Sequence, residues 1–463
     1  MHIPMAKVLA HHAQPGATAI ACGDEVTPGS IVAILLPNGI EFFVATFATW
    51  KLGATPMPLS HRLPEIERED MLKLARPTLV VGLDARSTGA WTRIPADFHP
   101  TGAGDAPLPR AEPKQPWKAI GSGGSTGRPK LIVAGRPAVV DPAQPQYTIL
   151  PGDIVLVPGP MYHQGPFIFS TGGLFVGGKV VVMPHFDPEE TLALIERHHV
   201  TWTYFVPTMT HRIWRLDEDV RNRFDLSSLR IVMSTGAPWA PWLKQEWIRW
   251  MGPEKILEGY GGTEEQGGLL ITGLEALAHP GSVGKAHDDL RVLDEDGNEV
   301  AAGTLGELYF QAPADEQHRY IGADDHDRDG WRSYGDLGHI GEDGYVYLSD
   351  RRTDMIVSGG ANIYPAEVEG ALEAHPIVRS AVVIGLPDDD LGQRVHAIVD
   401  IAEDRFVSDD DLQSHLREHT ASFKIPRTFE LVHQPLRDDA GKVRRAALRD
   451  QRLVANPASQ KQS

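Results

Sequence analysis

The stretch Gly121 to Lys130, GSGGSTGRPK, combines four glycines, three hydroxyl side chains and a terminal lysine. A flexible linker would need no reason for its other residues. Here, however, Ala119-Ile120 and Leu131-Ile132-Val133 flank it with apolar, strand-like segments. The motor-type phosphate loop, G-x-x-x-x-G-K-[ST], needs lysine directly after its second glycine and opens a helix. Gly127 is followed instead by Arg128 and Pro129, and then by strand pattern. What remains is a loop whose glycines (Gly123, Gly124 and Gly127) let backbone N–H groups turn toward an anion. Ser122, Ser125 and Thr126 add hydroxyl donors and Lys130 a charge, an arrangement suited to a polyphosphate.

Other groups stand at intervals. Tyr260-Gly261-Gly262-Thr263-Glu264 joins an aromatic face, which can bind a purine, to a hydroxyl and to a carboxylate of the kind a hard cation prefers. Ser333 to Asp354 reads SYGDLGHIGEDGYVYLSDRRTD and contains Asp336 and Arg351; Lys442 follows Gly441 in a charged stretch. Singly, each has a plain structural reading as a turn residue or a solvated cation.

Those groups need a scaffold. At 463 residues the chain suggests two or more domains, and 41% hydrophobic with 23% charged residues is ordinary for a globular protein. The net charge is −18, from 44 Lys+Arg against 62 Asp+Glu, and there is no long basic run; this argues against a nucleic-acid partner. Cys22 is the single cysteine, so no internal disulfide is expected, and the 20 histidines show no metal-ligand spacing with it. The absence of a signal-like or 18-residue apolar run reads as a soluble, cytoplasmic protein with no membrane span.

Strand pattern at Ile31–Leu35 precedes helix pattern at Glu41–Leu52, and helix pattern at 190–199 leads to a strand around Val200–Val206, with another strand at Leu229–Met233. This alternation predicts α/β sheets, with ligands at the carboxyl ends of the strands. After about residue 280, Asp-Gly turns in RVLDEDGNEV and HIGEDGYVYL predict hairpins. Beyond Asp350 come a helix opened by Pro365, strands at Ser380–Ile384 and Val395–Ile401, and a helix capped by Ser408 with Asp411. The expected architecture is a large α/β domain with a β-rich subdomain over 1–350, followed by a small α+β domain over 351–463.

In order and spacing these motifs resemble the adenylate-forming superfamily of acyl-CoA synthetases, peptide-synthetase adenylation domains and luciferases. Ser122–Lys130 is similar to its [ST]-S-G-T-T-G-x-P-K signature, with Gly123 in place of a hydroxyl residue, and 260–264 to its Y-G-x-T-E. LPNGIEFFVATFATWKLGATPMPL, FVPTM and TGAP resemble further family segments, so the likeness spans nearly the whole chain. The resemblance implies that Tyr260 stacks on adenine beside Gly261, Thr263 meets the α-phosphate and Glu264 holds Mg²⁺. It further implies that Gly236, Ala237 and Pro238 contact the nucleotide, that Asp336 accepts the ribose hydroxyls and that Arg351 also reaches the nucleotide. By the same resemblance, residues 351–463 are expected to form a mobile domain, Gly359 and Gly360 to line the pantetheine tunnel, Lys442 to be the catalytic lysine and His163, in MYHQGPF, to gate the acid pocket. Thr353 stands where relatives carry an Asp or Lys hinge.

The implied activity is acid:CoA ligation with ATP, Mg²⁺ and coenzyme A. The loop variant, the YHQGP stretch and a shortened YIGADDHDRDGW segment look most like bile-acid, steroid and terpenoid acid CoA ligases, which points to a bulky, cyclic, apolar acid. Loading of a carrier-protein pantetheine, luciferase-type oxidation and a non-catalytic nucleotide-binding protein stay open, as does the oligomeric state, homodimer included.

Overall fold

The structure is a computed structural model that describes residues 3–5, 26–83, 91–98, 115–123, 129–311, 317–323, 327–351, 354–438 and 441–455. Its first layer is a parallel sheet in the order β2-β1-β3, formed by β1 (Ile31–Ile34), β2 (Thr55–Pro58) and β3 (Leu79–Val81). Helix α1 (Ile40–Lys51) buries Phe42, Phe47 and Trp50, and α2 (Glu65–Ala75) buries Met71 and Leu72. The chain turns out of α1 at Gly53, whose φ of +72° suits glycine.

The described ends of the Gly-rich stretch lie in two paired strands. Strands β4 (Ala119–Gly123) and β5 (Pro129–Val133) pair antiparallel, and Arg319–Ile321 adds a third strand beside β5. Apolar flanks therefore become strands, as the sequence implied. Gly124, Ser125, Thr126 and Gly127 lie outside the described residues, as do Thr353 and Cys22.

The main sheet follows from β6 (Ile154–Val157), α3 (Gln164–Phe175), β7 (Lys179–Val182), α4 (Pro188–His198), β8 (Trp202–Phe205), α5 (Pro207–Trp214), β9 (Ile231–Thr235), α6 (Pro241–Met251), β10 (Ile256–Gly261) and β11 (Gly268–Thr272). Its order is β7-β6-β8-β9-β10-β11, parallel except for the last pair. The β9 strand begins two residues later than the apolar run LRIVM suggests, and at its start the Arg230 and Ile231 N–H groups both donate to the Thr201 carbonyl. In α4, Asp187 caps the Glu190 N–H at 2.8 Å and Pro188 fills a first-turn position that needs no donor.

An antiparallel sheet follows, ordered β12-β16-β15-β14-β13, from β12 (Ser282–Lys285), β13 (Leu290–Leu293), β14 (Gly306–Gln311), β15 (Trp331–Ile340) and β16 (Tyr345–Arg351). The HIGEDGYVYL hairpin is the β15–β16 turn. The turn of RVLDEDGNEV forms too, but its far side is limited to a bridge from Leu293 to Glu299, because β13 pairs along its length with β14.

The C-terminal part has its own apolar core around Val368, Leu372, Val383, Ala397, Val399 and Leu412. It comprises the hairpin β17 (Ile356–Ser358) and β18 (Ala361–Ile363), then α7 (Pro365–Glu373), β19 (Val378–Asp388), β20 (Gly392–Ile401), α8 (Asp409–His419), β21 (Thr428–Val432) and α9 (Arg445–Ala455). Ser408 and Asp411 form the full capping box at α8. Sequence pattern did not indicate α9.

Candidate active site

Strands β8, β9 and β10 end on one side of the main sheet, and the chemistry-bearing residues gather there. At the end of β10, Glu264 accepts a hydrogen bond from the Tyr320 hydroxyl at 2.6 Å and pairs with Lys130 at 3.5 Å; the Lys130 ammonium also lies 4.3 Å from the Tyr320 ring centre. Burial alone would raise the Glu264 pKa, but the Tyr320 bond and Lys130 outweigh it and hold the carboxyl below its ordinary value. It is thus ionised at neutral pH, the form a hard divalent cation requires. Among the described residues no cluster of three His, Cys, Asp or Glu could hold a metal. One carboxylate beside a phosphate site is a usual way of holding a hard Mg²⁺ ion, with waters completing its shell.

Tyr260, also on β10, donates to Asp336 of β15 at 2.7 Å, so the aromatic face and the proposed ribose carboxylate are joined directly. The same strand pairing sets Arg351 opposite Asp336. Ser122 and Gly123 lie across from Lys130 and Pro129 in the β4–β5 hairpin, which brings both ends of the Gly-rich loop to this cluster.

On the acid side, His163 is the residue before α3. Burial, and then the charge of Lys442, push its pKa down to about 3. The lysine itself comes from the far end of the chain. The turn carrying it is tight: Asp438 accepts the Lys442 N–H at 2.9 Å, its carbonyl takes the Gly441 N–H, and Gly441 has φ +76°. A Cβ at Gly441 would lie 2.9 Å from the Thr208 hydroxyl, so the turn rests against the start of α5. Gly236, with Ala237 and Pro238, forms the loop after β9, where a Cβ on Gly236 would meet Val206 at 3.5 Å.

Gly359 and Gly360 are not brought to this cluster. They form the β17–β18 turn with φ +58° and +81°, and Gly359 packs on Leu391 of the same C-terminal part.

Two networks escaped the sequence reading. Lys118, fully buried on the way into β4, donates to the Thr263 carbonyl at 3.1 Å and pairs with Glu265 at 3.5 Å. Burial draws its pKa down while Glu265 and Glu264 draw it back. Glu265 also accepts from Trp117 Nε1 at 3.1 Å and from Gln164 Nε2 at 2.9 Å, and holds φ +56°. One carboxylate therefore links the loop hairpin, the Thr263-Glu264 turn and the helix behind His163. In the C-terminal part, buried Glu369 pairs with Arg437 at 3.0 Å and with Arg445, fixing both flanks of the Lys442 turn. Neither network has a local signature, since its partners come from distant segments.

Comparison with known proteins gives a consistent result. Residues 9–314 match the family described as AMP-binding enzyme, and residues 367–442 match the AMP-binding enzyme C-terminal domain. A fatty acid–[acyl-carrier-protein] ligase of Streptomyces coeruleorubidus is 31% identical over 92% of this chain and 87% of its own length. A feruloyl-CoA synthase of an Amycolatopsis species is 31% identical over 92% and 89%. A 3-[(3aS,4S,7aS)-7a-methyl-1,5-dioxo-octahydro-1H-inden-4-yl]propanoyl:CoA ligase of Rhodococcus jostii is 29% identical over 94% and 91%. Among solved structures, the o-succinylbenzoate CoA synthetase of Bacillus subtilis with its acyl-adenylate intermediate superposes at TM-score 0.79. It is 26% identical, and the match covers 96% of this chain and 91% of that one. The same enzyme with ATP and magnesium ion superposes at 0.78, with 26% identity and 96% and 92% covered.

Proposed function

This chain belongs to the AMP-binding enzyme family, and on that premise we propose an ATP-dependent acid:CoA ligase in which Lys442, Thr263 and Glu264 act on the reacting groups and His163 borders the acid. The overall chemistry has two steps. A carboxylate oxygen attacks the α-phosphorus of ATP, forming an acyl-AMP as the bond to pyrophosphate breaks. The CoA thiol then attacks the acyl carbonyl; AMP leaves, the thiol loses its proton and the thioester remains.

The first step brings two anions together, so catalysis is largely charge neutralisation and alignment. Bound Mg²⁺ supplies Lewis-acid neutralisation of phosphate charge. Glu264 would hold that ion, while Lys130 and the hydroxyls and N–H groups of 122–127 receive the leaving pyrophosphate. Thr263 meets the α-phosphate. Tyr260, fixed by its bond to Asp336, offers adenine a set ring plane, and Asp336 and Arg351 serve the nucleotide beyond it. Lys442 neutralises the approaching carboxylate and α-phosphate, beside a His163 that stays uncharged at neutral pH.

The observation that carries the reading is the packing of the Lys442 turn on Thr208 and Val206, where a Cβ at Gly441 would lie 2.9 and 3.4 Å away, at the same strand ends as the Lys130–Glu264–Tyr320 cluster. For the thiol step, residues 351–463 would act as a mobile domain that withdraws Lys442 and presents Gly359-Gly360 to pantetheine.

The acid is a bulky cyclic one. The Rhodococcus and Amycolatopsis relatives are named for ring-bearing acyl groups, which supports this, and the YHQGP stretch agrees with it. The Streptomyces relative supports a second acceptor, the pantetheine arm of a carrier protein. No helix among the described residues is long and apolar enough to cross a membrane, in keeping with a cytoplasmic location.

Lys442→Ala tests the assignment. Loss of one preorganised donor is expected to cost about 3 kcal/mol or more in the adenylation step. Thioester formation from supplied acyl-AMP should survive. Equal loss of both half-reactions would remove Lys442 from this role.

A further inference from the structure

Helix α5 meets the C-terminal part at both of its ends. At its start, the Thr208 hydroxyl lies 2.9 Å from where a Cβ on Gly441 would stand, so the Lys442 turn rests there. Immediately past its end, Arg215 donates to three backbone carbonyls, those of Glu373 and His375 at 3.0 Å and that of Pro376 at 3.2 Å. These oxygens close α7, whose last residue is Glu373. A helix ends in carbonyls without intrahelical partners and in partial negative charge, and a guanidinium fork satisfies several of them at once.

Arg215 is held for this task from its own side. His211, one turn earlier on α5, is buried and accepts the Arg215 Nε–H on Nε2 at 3.2 Å. Burial and the neighbouring guanidinium keep that imidazole's pKa down at about 4, so the acceptor is present at neutral pH. Trp242 of α6 stands edge-on to the His211 ring, with centroids 5.7 Å apart, and donates its own Nε1–H to the Gly370 carbonyl in the last turn of α7 at 3.2 Å.

Helix α7 passes its position on to the reacting end of the chain. Glu369 and Glu373 stand one turn apart on it and both engage Arg437, at 3.0 and 3.7 Å, while Glu369 also pairs with Arg445. The two arginines lie on either side of Lys442 in sequence. A shift of α7 away from Arg215 would therefore carry the Lys442 turn away from Thr208.

We propose that Arg215 is a positioning residue for the adenylation step: a latch on the carboxyl end of α7 that keeps Lys442 at the strand ends and releases before the thiol step. This rests on the reading of residues 351–463 as the mobile domain of an acid ligase, and it assigns the docked arrangement to a side chain outside the reacting groups.

A cross-link beside the latch tests it. A Cβ at Gly370 would lie 3.6 Å from the Ala240 Cβ, within the range that a disulfide spans. Ala240→Cys with Gly370→Cys, in a Cys22→Ser background that leaves no other thiol, therefore reports the docked arrangement without any substrate. With oxidised glutathione as oxidant, adding Arg215→Ala should slow disulfide formation roughly tenfold or more, the weight of hydrogen bonds from a charged donor. In the reduced protein Arg215→Ala should lower acid-dependent pyrophosphate exchange by a similar factor, over a panel of cyclic acids that includes benzoate and cyclohexanecarboxylate. Thioester formation from supplied acyl-AMP should be kept. Oxidation should restore exchange in the variant and suppress thioester formation with or without Arg215. An unchanged cross-linking rate, an equal fall of both half-reactions, or a loss of exchange that oxidation does not restore overturns the proposal. So does an oxidised pair with Arg215 intact that forms thioester as fast as the reduced one, a result that needs no Arg215 variant to fold. Slowed cross-linking without acid-dependent exchange in any of these proteins would support the latch while rejecting the ligase reading.

Discussion

His163 is strongly altered by its surroundings. Its pKa is about 3 against an ordinary 6.5, through burial first and the Lys442 ammonium second. The depressed value keeps the imidazole neutral, so Lys442 faces no second cation when a carboxylate arrives. It also has a consequence for stability. Between pH 6.5 and 3 the unfolded chain binds a proton at this side chain that the folded chain excludes, so stability falls as pH falls through that window. His211, held at about 4 by burial, Arg215 and neighbouring groups, contributes in the same direction. Thermal melts from pH 7 to 4 should therefore show a shallower acid loss in His163→Gln than in the wild type, with part of the slope retained through His211. Identical slopes would mean that His163 is not held uncharged.

At the scale of elements, the Lys118–Glu265 pair joins the β4–β5 hairpin, the turn after β10 and the start of α3. Lys118→Met would strand a mostly buried carboxylate, at a cost of about 3–5 kcal/mol to stability. Adding Glu265→Gln should recover part of that loss, since it removes the stranded charge, although its single amide oxygen can keep only one of the bonds that Oε2 takes from Trp117 and Oε1 from Gln164. Additive losses in denaturant melts would show that the pair is not coupled. Elements of this kind were only partly legible in the sequence. Helices α7 and α8 were, because Pro365 and the Ser408–Asp411 box act within one turn, and so were the two strands beside the Gly-rich loop, from their short apolar runs. Helix α9 was not, since RRAALRDQRLVA presents only Leu448 and Leu453 to a core among many charges. The Glu265 hub was equally hidden, because its Gln164 and Trp117 partners lie 101 and 148 residues away and nothing local marks a pairing across such spans.

For the whole molecule, the Lys442 turn reaches the site because the C-terminal part is docked in one arrangement. Arg215 of the main sheet's flank donates to the carbonyls of Glu373, His375 and Pro376 at 3.0–3.2 Å, Trp242 donates to the Gly370 carbonyl at 3.2 Å, and Arg444 pairs with Glu67 at 3.1 Å. These contacts are largely exposed, which suits the proposed withdrawal of residues 351–463 between the two chemical steps. The motifs that carry the candidate site were legible because they are short and ordered; the way their residues meet was not, since it depends on this docking and on pairings such as Tyr260–Asp336. The most direct measurement is exchange of labelled pyrophosphate into ATP over a panel of cyclic carboxylic acids, followed by addition of CoA. Exchange that requires an acid, stops in Lys442→Ala and is followed by thioester formation on adding CoA is the predicted result. Exchange that proceeds equally without any acid, or no exchange with any member of the panel, would contradict it.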